Sequence, residues 1–255
     1  MCPLTTNSTI IMPWNDKQAD HYEHWFTTPL GQFVLDRESR LLQRLVSTWP
    51  RRRQGLLDVG CGAGHFSHMF WEWGFDVTGI DPSPAMLRRA RQRMGARVDL
   101  RVGVAERLPY DDNEFDFVSL ITVLEFCNDP QTAIAEASRV ARKGLIVGFL
   151  NKHSLYYLTH VRSRKLGKDS LWAGSSWFSW WEMQRMINAA IGRQWMLARS
   201  VLPGPVWTWR RLPPFKQACG MLLPPYVGTF GAVRIDLLGG PARTPLMAWK
   251  TEPSI

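Results

Sequence analysis

Leu56-Leu57-Asp58-Val59-Gly60-Cys61-Gly62-Ala63-Gly64-His65-Phe66 is the stretch that decides the fold of this chain of 255 residues. It passes from an apolar segment through closely spaced glycines into a segment with helical spacing, which predicts a strand, a tight turn and a helix. Glycine permits positive φ angles and leaves no Cβ in the way of a ligand. The free N–H groups at the start of the helix suit a carboxylate or a phosphate. The sequence therefore predicts a binding crevice at the carboxyl end of this strand.

A second strand over residues 75–80 ends at Asp81, which predicts a carboxylate placed to accept hydrogen bonds from the two hydroxyls of a ribose. The glycine spacing helps to identify the nucleoside. A dinucleotide-binding turn has the form G-x-G-x-x-G, whereas this chain has Gly60-x-Gly62-x-Gly64, with His65 where the third glycine would fall. We therefore expect a ribose-bearing cofactor other than a nicotinamide dinucleotide.

Strands and helices alternate along the chain, which indicates an α/β fold with a mostly parallel sheet. A nearly continuous apolar run over 115–122 is typical of a buried parallel strand. The predicted core strands are 55–59, 75–80, 98–102, 115–122 and 144–150, and the predicted closing strands are 195–202, 230–238 and 246–250. The predicted helices are 20–27, 33–48, 65–73, one beginning near 84, 130–141 and 182–190.

Composition indicates a globular protein, because 45% of the residues are hydrophobic and 21% are charged. Four cysteines are scattered without a C-x-x-C pair, so neither a disulfide framework nor a metal site is expected. No apolar run has the roughly 20 residues of a spanning helix, and the first residues do not resemble a signal peptide. We expect a cytoplasmic protein with no obligate protein partner.

The net charge of +9 raises the question of nucleic-acid or membrane binding. Arginines in 88–93 are better explained as the solvated face of a helix. Nucleic-acid binding is not expected, because the sequence shows no separate recognition domain. Basic and aromatic residues over 152–172 leave weak peripheral contact with anionic lipid open.

Motifs in the first three-fifths of the chain resemble the class I S-adenosylmethionine (SAM)-dependent methyltransferases, in particular the methyltransferase type 11 group. The glycine turn resembles motif I of that class. Residues 103–118 resemble its G-D-A-x-x-L-P-F…F-D-x-V stretch, and residues 138–145 resemble its R-V-L-K-P-G-G turn. One departure is Val104, which stands where the group has an aspartate that binds the adenine amino group, so Glu106 or a backbone carbonyl would have to serve.

The resemblance implies a Rossmann-like class I methyltransferase fold with an antiparallel strand near its C-terminal end. We expect an N-terminal helical cap (1–50), a SAM-binding core (51–150), a lid insertion (151–181), and a C-terminal helix with closing strands (182–255). SAM would be the cofactor and S-adenosylhomocysteine (SAH) its product. The residues that the resemblance places at the cofactor are Tyr22, Asp58, Gly60, Cys61, Gly62, Gly64, Asp81, Pro82, Ala105, Glu106 and Thr122.

Residues 20–26 resemble the Y-D-x-W-F segment with which many members of this group begin, so Tyr22, with Trp25 beside it, is expected to close over the reacting centre. Methyl transfer is a displacement at an activated carbon, which makes alignment essential and a general base optional. The candidate catalytic residues are Tyr22, His24, Glu125 and His153.

The expected reaction is methyl transfer to a small acceptor with apolar or aromatic character. Tryptophans concentrated beyond residue 171 can line such a pocket or simply bury the lid against the core. Two alternatives stay open at this point, a peripheral enzyme of lipid or quinone methylation and a non-catalytic protein that binds SAM or SAH.

Overall fold

The computed structural model describes residues 14–161, 174–209 and 219–238. Seven strands within them form one sheet in the order β3-β2-β1-β4-β5-β7-β6. The strands are β1 (Gly55–Val59), β2 (Asp76–Asp81), β3 (Asp99–Val102), β4 (Phe115–Ile121), β5 (Ala141–Leu150), β6 (Trp195–Val201) and β7 (Phe230–Asp236). Pairs among β1 to β5 are parallel, and β7 is antiparallel to both β5 and β6. The predicted mostly parallel sheet with an antiparallel C-terminal strand is confirmed.

Six α-helices accompany the sheet in the described ranges. They are α1 (Asp16–Thr27), α2 (Pro29–Leu45), α3 (His65–Glu72), α4 (Pro84–Met94), α5 (Pro130–Val140) and α6 (Trp180–Ile191). Short helical turns occur at Gly95–Arg97, Leu124–Phe126, Tyr157–Val161 and Val206–Thr208. The predicted strand 246–250 and residues 162–173 of the predicted lid lie outside the described residues.

Local capping chemistry fixes where the first two helices begin, and both begin earlier than the hydrophobic pattern predicted. Asn15 accepts a hydrogen bond from the Gln18 backbone, while the Gln18 side chain accepts one from the Asn15 backbone, so α1 starts at Asp16. Thr28 caps α2 by accepting from the Gly31 N–H at 3.0 Å, and Pro29 occupies the first helical position. Apolar spacing missed the start of α1 because its first turn is mostly polar, and it missed the start of α2 because Pro29 and Gly31 do not favour a helix interior.

The core lies on both faces of the sheet, as the alternation of strand side chains requires. Leu56 of β1 and Phe117 of β4 pack in a cluster with α2 and α3, whereas Leu57 and Val118 pack in a second cluster with α5 and α6. Each layer therefore buries one face of every central strand. The carboxyl ends of the parallel strands lie along one edge of the sheet. The two N-terminal helices, α1 and α2, contribute residues at the same edge.

The described residues contain no helix with both the length and the apolar character needed to cross a bilayer.

Candidate functional site

The glycine turn follows β1 directly, and the end of β2 anchors it. Gly60 and Cys61 donate backbone hydrogen bonds to the Ile80 carbonyl at 2.7 and 3.1 Å. Gly60 and Gly62 have φ angles of 65° and 52°, which only glycine adopts without strain. A Cβ on Gly60 would lie 2.5 Å from a Val123 methyl, whereas a Cβ on Gly62 would meet nothing within 4 Å. The open space over Gly62 is therefore available to a ligand.

Gly64 is the third glycine of the turn. It does not line the cavity at this turn, and it caps α3 with a φ of 80°. A Cβ there would lie 3.2 Å from the Cα of Ala90 in α4. The absence of a side chain at Gly64 therefore allows α3 and α4 to pack closely.

Asp81 ends β2 with a carboxylate whose orientation is fixed by the backbone. Its two oxygens accept hydrogen bonds from Gly62 N–H at 2.9 Å and from Ser83 N–H at 2.8 Å. The residue is buried, and burial raises the pKa of its carboxyl to about 6. Each carboxylate oxygen has further lone pairs, so Asp81 can accept hydroxyl hydrogen bonds from a ligand at the same time.

Asp58, at the end of β1, is held by two serine hydroxyls. Ser67 of α3 donates to one oxygen at 2.6 Å, and Ser119 of β4 donates to the other at 2.7 Å. Burial raises the pKa of Asp58 to about 6, and the charge of Asp81 adds to this effect. Two negative side chains therefore face one small region, which favours a ligand with positive charge.

A cavity of about 440 Å³ opens at this edge of the sheet, within the size range of small-molecule sites. We describe the lining of this cavity as two sides, named for the elements that supply them. The glycine-turn side, over β1 and β2, consists of Asp58, Gly60, Cys61, Gly62, Asp81 and Pro82. The α2 side, over β4, β5 and β7, consists of Val34, Glu38, Leu150, Tyr156, Trp177, Leu202, Trp209 and Thr229.

Helix α1 supplies aromatic side chains to the cavity lining, and they include the Tyr22 segment that the sequence predicted as a cap. The Tyr22 ring packs edge-on against Trp14 and Phe26, with centroids 5.4 and 4.8 Å apart. Tyr22, Trp25 and Phe26 all line the cavity. Burial raises the pKa of Tyr22 far above its usual range, so its hydroxyl stays protonated. Helix α1 therefore shields the cavity from water.

Ion pairs hold α1 on the core. Glu23 contacts Arg93 of α4 at 2.8 Å and His65 of α3 at 3.0 Å. These two partners lower the pKa of Glu23 to about 2, against the opposing effect of burial. Nearer the start of the helix, Asp16 pairs with Arg88 at 2.6 Å. Arg88 and Arg93, which were predicted to lie on a solvated helix face, therefore form ion pairs that hold α1 against α4.

Residues further along the chain complete the lining where the sequence predicted them. Ala105, Glu106 and Thr122 all face the cavity. Thr122 has a φ of 53°, an unfavourable value for a β-branched residue, and such strain is concentrated at functional sites. A Glu106 oxygen accepts a hydrogen bond from the Asn128 N–H at 2.9 Å, so this carboxylate is oriented by the loop after β4. Val104, 46% exposed, lines the same region and offers no side-chain acceptor.

Three of the four candidate catalytic residues lie outside the cavity lining. His24 is exposed on the outer face of α1. His153 is exposed and packs on Trp181, with ring centroids 5.6 Å apart. Glu125 is fully buried behind the lining, where it accepts from the Leu150 N–H at 2.6 Å. Of the four, the structure brings only Tyr22 to the cavity.

Several lining residues had no signal in the sequence. Glu38 reads as one of many charged residues in an amphipathic helix, yet it is buried and faces the cavity. Trp14 precedes the first predicted helix, and its carbonyl accepts from the Ser83 hydroxyl at 2.5 Å. Trp177 and Trp209 were two of many tryptophans beyond the core, and burial alone could not distinguish them from packing residues.

Comparison with known proteins agrees with this geometry. The family described as "Methyltransferase domain" matches residues 57–148. An uncharacterized protein of Methanocaldococcus jannaschii is 32% identical over 175 residues, which cover 68% of this chain and 78% of that protein.

Two further similarities concern the sequence of an enzyme and a solved structure. A malonyl-[acyl-carrier protein] O-methyltransferase of Serratia marcescens is 43% identical over 94 residues, or 37% of this chain and 36% of that enzyme, so the match spans about a third of it. A SAM-dependent methyltransferase structure from Thermotoga maritima superposes with a TM-score of 0.70 at 24% identity, covering 87% of this chain and 97% of the other, which shows a shared fold.

Proposed function

We propose that this chain, which belongs to the type 11 group of class I SAM-dependent methyltransferases, transfers the SAM methyl group to a small acceptor with apolar or aromatic character. One observation carries the proposal. The fixed carboxylate of Asp81 and the open space over Gly62 face the same cavity that continues to the aromatic α2 side. A cofactor and an acceptor can therefore meet in one water-shielded space.

The residues present suit SAM, which carries a ribose diol and a positive sulfonium. Asp81 would accept from the ribose hydroxyls, and Asp58, Gly60 and Cys61 would surround the methionine portion. Pro82, Ala105 and Glu106 would lie near the adenine, in spite of Val104. Thr122 and Tyr22 would lie near the methyl group. When bound, SAM supplies an electrophilic methyl carbon.

The protein's part in the reaction is alignment and exclusion of water. Alignment of two reactants supplies a large share of the rate enhancement in a displacement of this kind. Helix α1 covers the cavity with Tyr22, Trp25 and Phe26, and the ion pairs of Glu23 keep it in place. Tyr22 would act as a hydrogen-bond donor or as a wall, because its raised pKa keeps the proton on the hydroxyl.

The acceptor is proposed from the lining and not from the relatives. Leu150, Leu202, Trp177 and Trp209 on the α2 side form an apolar and aromatic surface suited to a ring or hydrocarbon. The Serratia marcescens enzyme is matched over about a third of its length, so its acceptor does not transfer to this chain.

Methyl transfer from radiolabelled SAM to aqueous and lipid fractions of a cell extract tests the proposal. We expect label in a low-molecular-mass product, and we expect Asp81→Ala to lower the signal about sevenfold or more at a SAM concentration near the Kd of the native protein. Binding of SAM and SAH without label in any fraction would instead support a non-catalytic binding protein.

A second candidate, methylation of a membrane lipid or quinone, is favoured by exposed apolar side chains near the cavity. Trp207 and Met221 are 61% and 57% exposed, and Leu155 and Trp181 are each 50% exposed. These residues lie in or beside the segments that follow β5 and β6, which also supply the α2 side of the cavity. Sedimentation with anionic vesicles, weakened by added salt, would support this candidate, and absence of sedimentation at low salt would remove it.

A further inference from the structure

Glu38 is a buried carboxyl group that faces the cavity and has no partner among the described residues. It lies in the middle of α2, is 8% exposed, and lines the cavity one helical turn after Val34. Within the described part of the chain, no hydrogen bond or ion pair satisfies its carboxyl group. The other buried carboxylates of the lining, Asp58 and Asp81, each accept two hydrogen bonds.

The arginine next to Glu38 in sequence does not neutralise it. Arg37 points the other way, with its guanidinium 3.3 Å from Asp36 and over the Phe33 ring at 4.9 Å. Burial raises the pKa of Glu38 to about 8, and no nearby charge or hydrogen bond offsets this. A buried carboxyl without compensation is costly for the fold, and a cation placed beside it would recover that cost.

The whole lining favours a cation over an anion. The described residues that line the cavity include four carboxyl groups, Glu38, Asp58, Asp81 and Glu106, and no lysine or arginine. His65 is the basic residue among them, and it already bonds Glu23. The α2 side adds aromatic faces, which attract cations through their ring quadrupoles. Among the described lining residues, an acceptor with a free carboxylate would find no lysine or arginine as a partner.

We propose that Glu38 binds the protonated amino group of the methyl acceptor, so that the substrate is a primary or secondary amine carried on an apolar or aromatic body. This inference rests on the proposed methyltransferase function and names the substrate class of the same cavity.

In this proposal Glu38 first binds the ammonium group and then accepts a proton from it. Its carboxylate holds the ammonium group and takes one proton from it, which leaves the nitrogen lone pair free. That lone pair forms the new nitrogen–carbon bond to the methyl group, while the carbon–sulfur electron pair passes to the sulfur, which becomes an uncharged thioether. The proton given up by the ammonium group remains on Glu38.

Three probes with the same aromatic ring test the inference by binding, without catalysis. The native protein saturated with SAH is titrated calorimetrically with 2-phenylethylamine, 2-phenylethanol and phenylacetate. We expect the amine to bind at least about tenfold more tightly than the alcohol, as one charge-assisted hydrogen bond allows, and the carboxylate to bind most weakly. Glu38→Gln keeps the side-chain volume and should reduce the amine preference to about twofold or less, with SAH affinity unchanged.

Asp36→Asn is the matched control, because it removes a negative charge from the same helix outside the cavity lining and should leave the amine preference intact. An amine that binds the native SAH complex no more tightly than the alcohol, including no binding by either, overturns the inference even if Glu38→Gln does not fold. Loss of SAH affinity in Glu38→Gln also overturns it, since Glu38 would then serve the cofactor. Failure of the native protein to bind SAH at all would instead overturn the proposed function.

Discussion

The glycine-turn side and the α2 side of the cavity differ in how their carboxyl groups are held. Asp58 and Asp81 are fixed by hydrogen bonds from serine hydroxyls and backbone N–H groups close to them in the fold. Glu38 faces the cavity without such hydrogen bonds from any described residue. The glycine-turn side is therefore preorganised before any ligand arrives, whereas the α2 side carries an electrostatic cost that a ligand can relieve.

The two sides also differ in how the chain builds them. The glycine-turn side comes from two consecutive strands and their turns, between Asp58 and Pro82. The α2 side brings together Val34 and Thr229, which are far apart in sequence, with segments after β5 and β6. The glycine-turn side can therefore be recognised from one stretch of sequence, whereas the α2 side depends on the tertiary fold.

The strongest test of the preorganised side is Asp81→Ala. We expect SAM affinity to fall by about 1.5–3 kcal/mol, because charged hydrogen bonds to the ribose would be lost. Isothermal calorimetry measures the change, and Asp99→Ala, which removes an exposed aspartate from neighbouring β3, should bind SAM normally. Unchanged affinity in Asp81→Ala would contradict the ribose assignment.

A second test uses the space over Gly62. Gly62→Ala places a methyl group in open cavity space, so we expect SAM affinity to fall by about 1–3 kcal/mol through overlap. The backbone strain of its positive φ should lower the free energy of unfolding by about 1–2 kcal/mol.

Gly192→Ala provides the control for that strain. Gly192 has a φ of 75°, and a Cβ there would also meet nothing within 4 Å, but it follows α6 away from the cavity. Thermal denaturation should show similar destabilisation of the two variants, with SAM affinity lost only in Gly62→Ala. Equal affinities would mean that the ligand does not approach this turn.

The third test is the pH dependence of SAM binding. Burial raises the pKa of Asp81 to about 6, so its carboxylate gains a proton as the pH falls through that value and can no longer accept as strongly. We expect SAM affinity to decrease below about pH 6 in the native protein. Asp81→Asn, which cannot titrate, should bind weakly with a flatter profile, although Asp58 also titrates near this pH. A native profile that is flat across this range would contradict the role of Asp81.

The smallest expected effect concerns the cap that both sides share. Glu23→Gln weakens the pairs with Arg93 and His65, and these part-exposed contacts should contribute about 1 kcal/mol or less. Limited proteolysis should cut α1 faster in this variant, with SAM slowing the cleavage. Asp16→Asn, which loses a more exposed pair, should change the rate less. Equal cleavage of Glu23→Gln and the native protein would show that these pairs do not fasten the cap.

The sequence was sufficient to predict most of the sheet and the glycine-turn side, because both depend on local patterns. Apolar strands, spaced glycines and a terminal aspartate appear as continuous motifs, and Asp58, Gly60, Gly62 and Asp81 all line the cavity. The close approach of α4 to Gly64, where a Cβ would lie 3.2 Å from the Cα of Ala90, is a packing feature that no local pattern specifies.

The α2 side could not be predicted for a physical reason. Glu38 becomes special only because α2 turns that position toward the cavity and buries it, and a charged residue in an amphipathic helix ordinarily faces water. The two candidate histidines are the opposite case, because their chemistry suits catalysis but their positions do not. The fold leaves His24 and His153 exposed outside the cavity lining.

A calorimetric titration of the purified native protein with SAM and SAH, with NAD as the comparison ligand, tests most directly whether this cavity is a SAM site. We expect both sulfur nucleosides to bind at a single site and NAD to produce only heat of dilution. No binding of SAM or SAH, or binding of NAD in their place, would contradict this assignment.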